Sequence, residues 1–433
     1  MHSSMSARRV RLLGGQVLGA PLGSACCACR GPPIIPATQP FRLVAVAAAA
    51  PPVGTPMAGR GGKAGPEQDV DEKELKDLIA RVVGDLAGSV AVQLMYIGDR
   101  LGLFKVVALA PGGVTSAELA QRTQCHIRYV ETWCQACVAH SFMETERGAE
   151  SALQEDGRRR YWMTGAQREV LANEGGRSFQ CGAAQLLSAS AQATPAMMER
   201  GFRCLGGGGV SWSHLGDDAR EGVARMNAVT HRELLPSWVG AVPEARRALG
   251  ARARVLDVGC GCGASTLSLA AAFPDAEVLG IDPDAESIAA AGEELRRRGL
   301  GNARFEPAAL EDVTGEPFDL ALAYDCIHDM TDPFAALASL RKLLRVGGVA
   351  LWFEPHGSDD PYENREIFGA RMVAGIALNC VTTSMAAGGA GLGAHGCTPA
   401  RAEALARRAG FGEFRREREL KGARYRNNVY VMR

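Results

Sequence analysis

Three glycines at alternate positions, preceded by an acid, form the first group of residues in this chain that could bind a ligand. The pattern is Asp257-x-Gly259-x-Gly261-x-Gly263, and its first half lies in an apolar run that predicts a buried parallel strand. Glycine tolerates positive φ and lets a ligand approach the backbone closely. About 20 residues after the last glycine, a second apolar run ends at Asp282, where an acid can bind a ribose diol. The spacing therefore predicts a nucleoside-binding turn between a strand and a helix.

The position of the acid decides between two classes of ligand. A dinucleotide fingerprint reads G-x-G-x-x-G and places a pyrophosphate on the helix N-terminus. Here the glycines alternate, and Asp257 stands two residues before the first of them, where it would repel a phosphate but suits an ammonium group. S-adenosylmethionine carries an ammonium, a ribose and an adenine, and no phosphate, so it is the predicted cofactor. The alternative is a glycine-rich turn that binds no ligand.

A histidine and two acids form the second group with chemical potential. Apolar runs at residues 318–324 and 349–353 predict the fourth and fifth strands; His328 and Asp329 follow the former, and Glu354 the latter. Ligands bind at the carboxyl ends of parallel strands, so we expect these three side chains to face one cleft. A histidine with its ordinary pKa of about 6.5 can accept a proton from a hydroxyl, and a carboxylate can orient its ring. The alternative is a surface histidine with satisfied hydrogen bonds.

The elements that must position these residues alternate between strand and helix, which predicts an α/β fold with a doubly wound, Rossmann-like parallel sheet. The predicted strands include residues 277–281 and 303–306, and the predicted helices residues 285–298 and 333–344. Two further strands are predicted at 414–417 and 429–431. Residues 251–433 are therefore interpreted as the ligand-binding domain.

The N-terminal half predicts a different, mainly helical domain at residues 69–176. Helices are expected at 71–101 and 126–140, and a capping box at 115–118 precedes another apolar stretch. Two strands at 142–145 and 160–164 complete a winged-helix arrangement. A winged helix could bind DNA, but the would-be recognition helix offers one basic residue, which is too few to neutralise several phosphates. Residues 177–250 are predicted to form a helical connector.

Composition and charge exclude several classes of partner. The chain has 433 residues, enough for two domains and a tail, and its formal net charge of +0 gives no attraction to nucleic acid or to an anionic membrane. No uninterrupted apolar run reaches the roughly 18 residues needed to span a bilayer, so no membrane association is expected. The 13 cysteines are scattered, which indicates reduced thiols, and Cys134-x-x-Cys137 lacks a second ligand pair, so no metal site is predicted.

Residues 1–66 contain no acid and carry arginines among alanine, glycine, proline and serine. Such a composition is typical of transit peptides. The stretch at 44–48 resembles a plastid cleavage site, so we favour targeting to the chloroplast over targeting to the mitochondrion. The alternative is a disordered extension without a targeting role.

The glycine turn with its flanking acids resembles the class I S-adenosylmethionine-dependent methyltransferases. The order of strand, glycine turn, helix, second strand and terminal acid agrees with that family from Asp257 to Asp282. The resemblance implies an adenine contact after the third strand, which here falls to Glu311 or Asp312 because the customary acid at the start of that segment is missing. From about residue 74 to the end, the chain as a whole resembles a little-characterised bacterial-type branch of this family that has a winged-helix domain.

The segment that contains His328 resembles a motif found in another group of enzymes of this family. Cys326-Ile327-His328-Asp329 is similar to the Cys-His-Asp-Trp stretch of plant phenolic O-methyltransferases, where the histidine is the base. Glu354 matches their flanking acid, whereas Met330 replaces the usual tryptophan and Tyr324 the common lysine. The resemblance implies O-methylation of a small molecule, with the N-terminal domain forming a homodimer and a lid. N- or C-methylation without a base, or a cofactor-binding winged-helix regulator, are the alternatives.

Overall fold

The computed structural model of the chain describes residues 70–147, 159–250, 252–367, 369–417, 420 and 427–433. Residues 70–433 form one unit. The tail that we interpret as a transit peptide, residues 1–66, lies outside the described residues and stays a prediction.

A seven-stranded sheet forms the C-terminal half and confirms the predicted doubly wound architecture. Its strand order is β6-β5-β4-β7-β8-β10-β9; β4 to β8 run parallel, and β10 and β9 are antiparallel to their neighbours. Its strands are β4 Arg254–Val258, β5 Glu277–Ile281, β6 Ala303–Glu306, β7 Phe318–Tyr324, β8 Leu344–Pro355, β9 Phe414–Glu417 and β10 Asn427–Met432.

Helices cover both faces of this sheet, which is why the central strands are apolar throughout. Every residue of β7 is buried, and separate apolar cores lie on its two faces, one around Leu337 and Trp352 and one around Leu269 and Phe353. The helices of this half are α9 Pro243–Ala248, α10 Ala264–Ala272, α11 Ala285–Arg298, α12 Pro333–Leu343, α13 Ala370–Ala386 and α14 Pro399–Arg408.

The N-terminal part contains the predicted helices and hairpin. The capping box at Thr115 and Glu118 is formed and begins α3. Strands β2 and β3 pair as predicted, and the two-residue β1, too short to predict, adds a third strand in the order β1-β3-β2. The winged-helix assignment and the domain boundaries stay predictions. The elements are α1 Glu72–Arg100, α2 Leu103–Ala108, β1 Val114–Thr115, α3 Ser116–Thr123, α4 Ile127–Ala139, β2 Glu144–Thr145, β3 Arg160–Trp162 and α5 Gly165–Leu171.

Helix α1 carries an unusual exposed apolar surface. The large side chains Leu75, Leu78, Ile79 and Val82 are each between 45% and 52% exposed. By length and composition alone α1 could also cross a membrane, and no part of its apolar window is buried. Glycine, serine and glutamine separate the apolar residues of α1, so the segment contains no uninterrupted apolar run of that length, and the absence of membrane association stays a prediction.

The connector consists of α6 Cys181–Met197, α7 Trp212–Val229 and α8 Leu235–Ala241. Between α7 and α8 the helix widens into a π-helical turn at Thr230–Leu234. Helices α6 and α7 cross closely at Gly182 and Gly222, where an added Cβ would lie 2.7 Å from backbone of the opposite helix. This crossing directs one side of α7 toward the carboxyl edge of the sheet.

Candidate active site

The glycine turn connects β4 to α10, and its glycines serve two purposes. An added Cβ at Gly259 would lie 2.7 Å from Cys326, and one at Gly263 would lie 2.6 Å from the Phe305 ring, so both positions require a glycine for packing. Gly261 has a φ of +52°, and no atom lies within 4 Å of an added Cβ. Its backbone therefore borders open space, as a turn that receives a ligand requires.

Asp282 fixes this turn from the end of β5. One carboxylate oxygen accepts the Gly261 N–H at 3.0 Å, and the other accepts the Asp284 N–H at 2.9 Å. Burial raises the pKa of Asp282, although these two backbone donors oppose the shift. The carboxylate lies beside the open space at Gly261, where it fits the predicted contact with a ribose.

Asp257 lies beneath the turn and is 1% exposed. One of its oxygens accepts hydroxyl hydrogen bonds from Ser265 and Thr266, both at 2.6 Å, which ties β4 to the first turn of α10. Burial raises its pKa to about 6. In the structure, Asp257 accepts its hydrogen bonds from protein hydroxyl groups, so its contact with an ammonium group stays a prediction.

Glu311 and Asp312 occupy a short 3₁₀ helix at Leu310–Asp312, beyond the end of β6. Both side chains are exposed, while Leu310 anchors the segment in the core. They lie on the Asp282 side of the sheet, because β6 pairs with β5. Either can still serve as the adenine contact that the resemblance implies.

His328 and Glu354 form a buried pair at the carboxyl ends of β7 and β8. His328 lies in a 3₁₀ turn at Ile327–Asp329 and is 2% exposed, and Glu354 is fully buried. Nδ1 of His328 contacts one carboxylate oxygen of Glu354, and the Trp352 indole N–H donates to the other at 2.6 Å. Both oxygens of Glu354 are thereby engaged, and the imidazole plane is fixed.

A second acid and a thiol cover the other ring nitrogen. Nε2 of His328 lies 3.3 Å from a carboxylate oxygen of Asp329, and Cys380 on α13 hydrogen-bonds both residues. Burial opposes a charge on His328, but the carboxylates of Asp329 and Glu354 outweigh it and hold the pKa of His328 well above its ordinary value. The imidazole therefore keeps its proton to higher pH than the ordinary histidine pKa assumed from the sequence would imply.

Two residues of this cluster were not singled out from the sequence. Asp325 has a φ of +55°, which is unusual for a residue other than glycine, and its carboxylate lies 4.0 Å from Nδ1 of His328. The only available signal was its position directly after β7. Cys380 gave no signal, because α13 had no assigned fold. Donor atoms of His328, Asp329 and Cys380 lie within 4.8 Å of one another, as do those of Asp325, His328 and Glu354, so either group could hold a metal ion.

Solved structures with this architecture define the class. The chain aligns with human N-acetylserotonin methyltransferase in complex with S-adenosylmethionine at a TM-score of 0.59 and 18% identity, covering 84% of this chain and 99% of that one. It aligns with mitomycin 7-O-methyltransferase at a TM-score of 0.61 and 17% identity, covering 83% and 99%. The fold is therefore that of the class I S-adenosylmethionine-dependent methyltransferases.

The sequence comparison specifies the domain. Residues 256–350 match the family model of a methyltransferase domain, so the chain carries an S-adenosylmethionine-dependent methyltransferase domain. It is 40% identical over 97 residues to trans-aconitate 2-methyltransferase of Deinococcus radiodurans, covering 22% of this chain and 36% of that protein. The same enzyme of Methylobacterium nodulans is 34% identical over 162 residues, covering 36% and 61%. The chain thus spans less than two thirds of these relatives.

Proposed function

We propose that the protein transfers a methyl group from S-adenosylmethionine to a hydroxyl oxygen of a small molecule, with His328 as the general base. The observation that carries the proposal is the buried His328–Glu354 pair. Cys326, two residues before His328, packs directly against Gly259, so the imidazole lies next to the glycine turn. S-adenosylmethionine supplies a methyl group made electrophilic by its sulfonium.

The residues around the turn fit this cofactor. Gly261 leaves room for a ligand against its backbone, and Asp282 offers a partly buried carboxylate to a ribose diol. Glu311 or Asp312 lies on the same side for the adenine. Strand β4 separates β5, which is followed by Asp282, from β7, after which His328 lies. A cofactor whose ribose is held by Asp282 would therefore need to reach across β4 to bring its sulfonium near His328.

The base requires a neutral imidazole. Glu354 accepts the Nδ1 proton and so favours the tautomer with an unprotonated Nε2. An acceptor hydroxyl that displaces Asp329 and Cys380 from Nε2 can then give its proton to the ring. Because Asp329 and Glu354 raise the pKa of His328, this neutral form is populated only as the pH rises through the raised value. Activity should accordingly increase on the alkaline side of histidine's ordinary pKa.

The charges around His328 also indicate the class of acceptor. Asp325, Asp329 and Glu354 all lie within 4.0 Å of the imidazole. A carboxylate close to the reacting atom would be repelled by these three acids. We therefore propose that the methyl acceptor is a phenol or another uncharged hydroxyl compound. A carboxylate acceptor is the less favoured alternative.

A second candidate, N- or C-methylation, is favoured by one specific observation. A protonated His328 cannot accept a proton, and an amine or a carbon nucleophile need not lose one to a strong base. In that reaction, His328 and its acids would shape the pocket and stabilise the cationic cofactor. The same cofactor site serves both candidates, so they differ in the acceptor and in the need for His328.

We further propose that the protein is a homodimer and that residues 1–66 direct it to a chloroplast or a mitochondrion. The exposed apolar side chains of α1 support the first proposal, because a surface of this kind in a soluble domain commonly marks an interface. The acid-free, arginine-containing composition supports the second.

A methyl-donor assay with a phenol, an amine and a carboxylate tests the function, with product mass and methylation site as the readout. We expect methylation of the phenol oxygen and loss of that product in His328→Ala. Methylation of nitrogen or carbon at an undiminished rate in His328→Ala would replace the leading candidate by the second. A protein that does not bind S-adenosylmethionine in calorimetry would overturn both.

A further inference from the structure

Three polar side chains at helical spacing face the carboxyl edge of the sheet from α7 and the π-helical turn. Nε of Arg220 donates to Asp284 at 3.0 Å, and Asn227 hydrogen-bonds Asp325. His231, one turn beyond Asn227, packs its ring edge-on against Tyr324, with a centroid distance of 4.6 Å. Helix α7 and the π-helical turn are therefore held against the carboxyl edge of the sheet.

His231 has the features expected of a residue that contacts a ligand. Both ring nitrogens are buried, and neither has a hydrogen-bond partner in the part of the chain that the structure describes. Burial lowers the pKa of His231 to about 4, so the ring is neutral and presents one N–H and one bare nitrogen. A buried polar group without a partner is costly, and few remain in native proteins unless a ligand or water satisfies them. The π-helical turn that holds it, Thr230–Leu234, is of a kind found frequently at functional sites.

Asp325 is a partly buried acid, 24% exposed, at the carboxyl end of β7. Its left-handed backbone is fixed by the bond from its N–H to the carbonyl of Phe353 at 2.8 Å. Strained positions of this kind cluster at ligand-binding sites. Two further carboxylates, those of Asp329 and Glu354, lie around the same imidazole as Asp325. This concentration of negative charge would attract a cation placed beside Asp325.

Strand register places both residues next to the glycine turn. Ala323 of β7 pairs with Val258 of β4, so Tyr324 lies level with Gly259, and Asp325 follows one residue further along. The turn at residues 230–234 packs against α10, the helix that the glycine turn begins. Asp282 lies on the opposite side of β4, at the end of β5. A molecule whose ribose lies at Asp282 and which crosses the turn would end between His231 and Asp325.

We infer that His231 and Asp325 bind the two charged groups at the methionyl end of S-adenosylmethionine. His231 donates an N–H to the carboxylate, and Asp325 accepts from the ammonium. The inference rests on the proposed function. The sequence assigned the ammonium contact to Asp257. One oxygen of Asp257 already accepts hydrogen bonds from Ser265 and Thr266, and we therefore assign the contact to Asp325, on the neighbouring strand β7.

Three ligands separate these two contacts in calorimetry with the full chain. S-adenosylhomocysteine has both charged groups; decarboxylated S-adenosylmethionine lacks the carboxylate and keeps the ammonium together with a sulfonium; 5′-methylthioadenosine has none of these charges. We expect His231→Ala to weaken S-adenosylhomocysteine tenfold or more and to leave the other two unchanged. We expect Asp325→Asn to weaken S-adenosylhomocysteine and the decarboxylated ligand, again with 5′-methylthioadenosine unchanged.

Matched variants control for structural damage. His231→Gln keeps an N–H donor and should recover part of the lost affinity, whereas His140→Ala, in the N-terminal part of the chain, should bind all three ligands like the wild type. Equal weakening of all three ligands in His231→Ala, or unchanged binding of S-adenosylhomocysteine, would overturn the inference while the cofactor assignment stands. A wild-type protein that binds none of the three overturns both.

Discussion

The buried His328–Glu354 pair gives the sharpest prediction for catalysis. His328→Ala removes the base, so turnover should fall by roughly 10²–10⁴, the usual contribution of general acid–base catalysis. The affinity for S-adenosylhomocysteine should stay within a factor of about two, because His328 is not among the residues proposed to hold the cofactor. Turnover is measured with the acceptor found in the panel, and affinity by calorimetry.

Glu354→Gln should cost nearly as much as His328→Ala, although the two side chains are almost the same size. The Trp352 indole N–H donates to one oxygen of Glu354, and His328 contacts the other. A glutamine has one oxygen, so if it accepts from Trp352, it turns its NH₂ toward Nδ1 of His328. The imidazole must then carry its proton on Nε2, which is the wrong tautomer for a base facing the acceptor.

The pH dependence tests the same reasoning from another direction. A histidine whose folded-state pKa is raised stays protonated until the pH passes the raised value, so wild-type turnover should rise with pH through a midpoint above about 6.5. Asp329→Asn removes one of the two carboxylates that raise this pKa, so the midpoint of this variant should move to lower pH. An unchanged midpoint in Asp329→Asn, or full turnover in His328→Ala, would refute the role of the base.

Three further predictions concern binding, assembly and processing. Gly261→Val should weaken S-adenosylhomocysteine at least tenfold in calorimetry, since a side chain would fill the open space above a backbone with positive φ. Leu78→Asp with Ile79→Asp should convert a dimer into a monomer in light scattering, whereas Val346→Asp should not, because that apolar side chain is 99% exposed but lies in β8, away from α1. A wild-type monomer at micromolar concentration contradicts the proposed dimer. N-terminal sequencing of protein from its source cell should find a first residue within 47–67, and an intact Met1 counts against import.

The sequence was sufficient where local patterns determine the structure. The continuous apolar run of β7 and the glycine turn after β4 were predicted, and the strand ends correctly brought His328 and Glu354 to one edge of the sheet. It failed where distant segments meet. The position of Cys380 depends on how α13 packs against the turn at 327–329, and no periodicity encodes that packing.

The pKa of His328 and the role of His231 escaped prediction for the same reason. An acid beside a histidine is visible in a sequence, but the complete burial of Glu354, which removes water from between the charges, is not. His231 lies in a segment predicted as ordinary helix. Its direction depends on the π-helical widening and on the close crossing of α6 and α7 at Gly182 and Gly222, both of which are tertiary features.

The arrangement of charges predicts that cofactor binding and the protonation of His328 are linked. His328 holds its proton in the free protein because Asp329 and Glu354 face it. A cation bound next to the glycine turn would lower this pKa, so His328 would release a proton on binding. S-adenosylmethionine has a sulfonium charge that S-adenosylhomocysteine lacks, whereas the ammonium is common to both. Calorimetry at pH 7.5 in two buffers of different ionisation enthalpy should therefore show more proton release with S-adenosylmethionine, and His328→Ala should abolish the difference. Equal release with both ligands would mean that the imidazole does not sense the sulfonium, and that its base form is reached by pH alone.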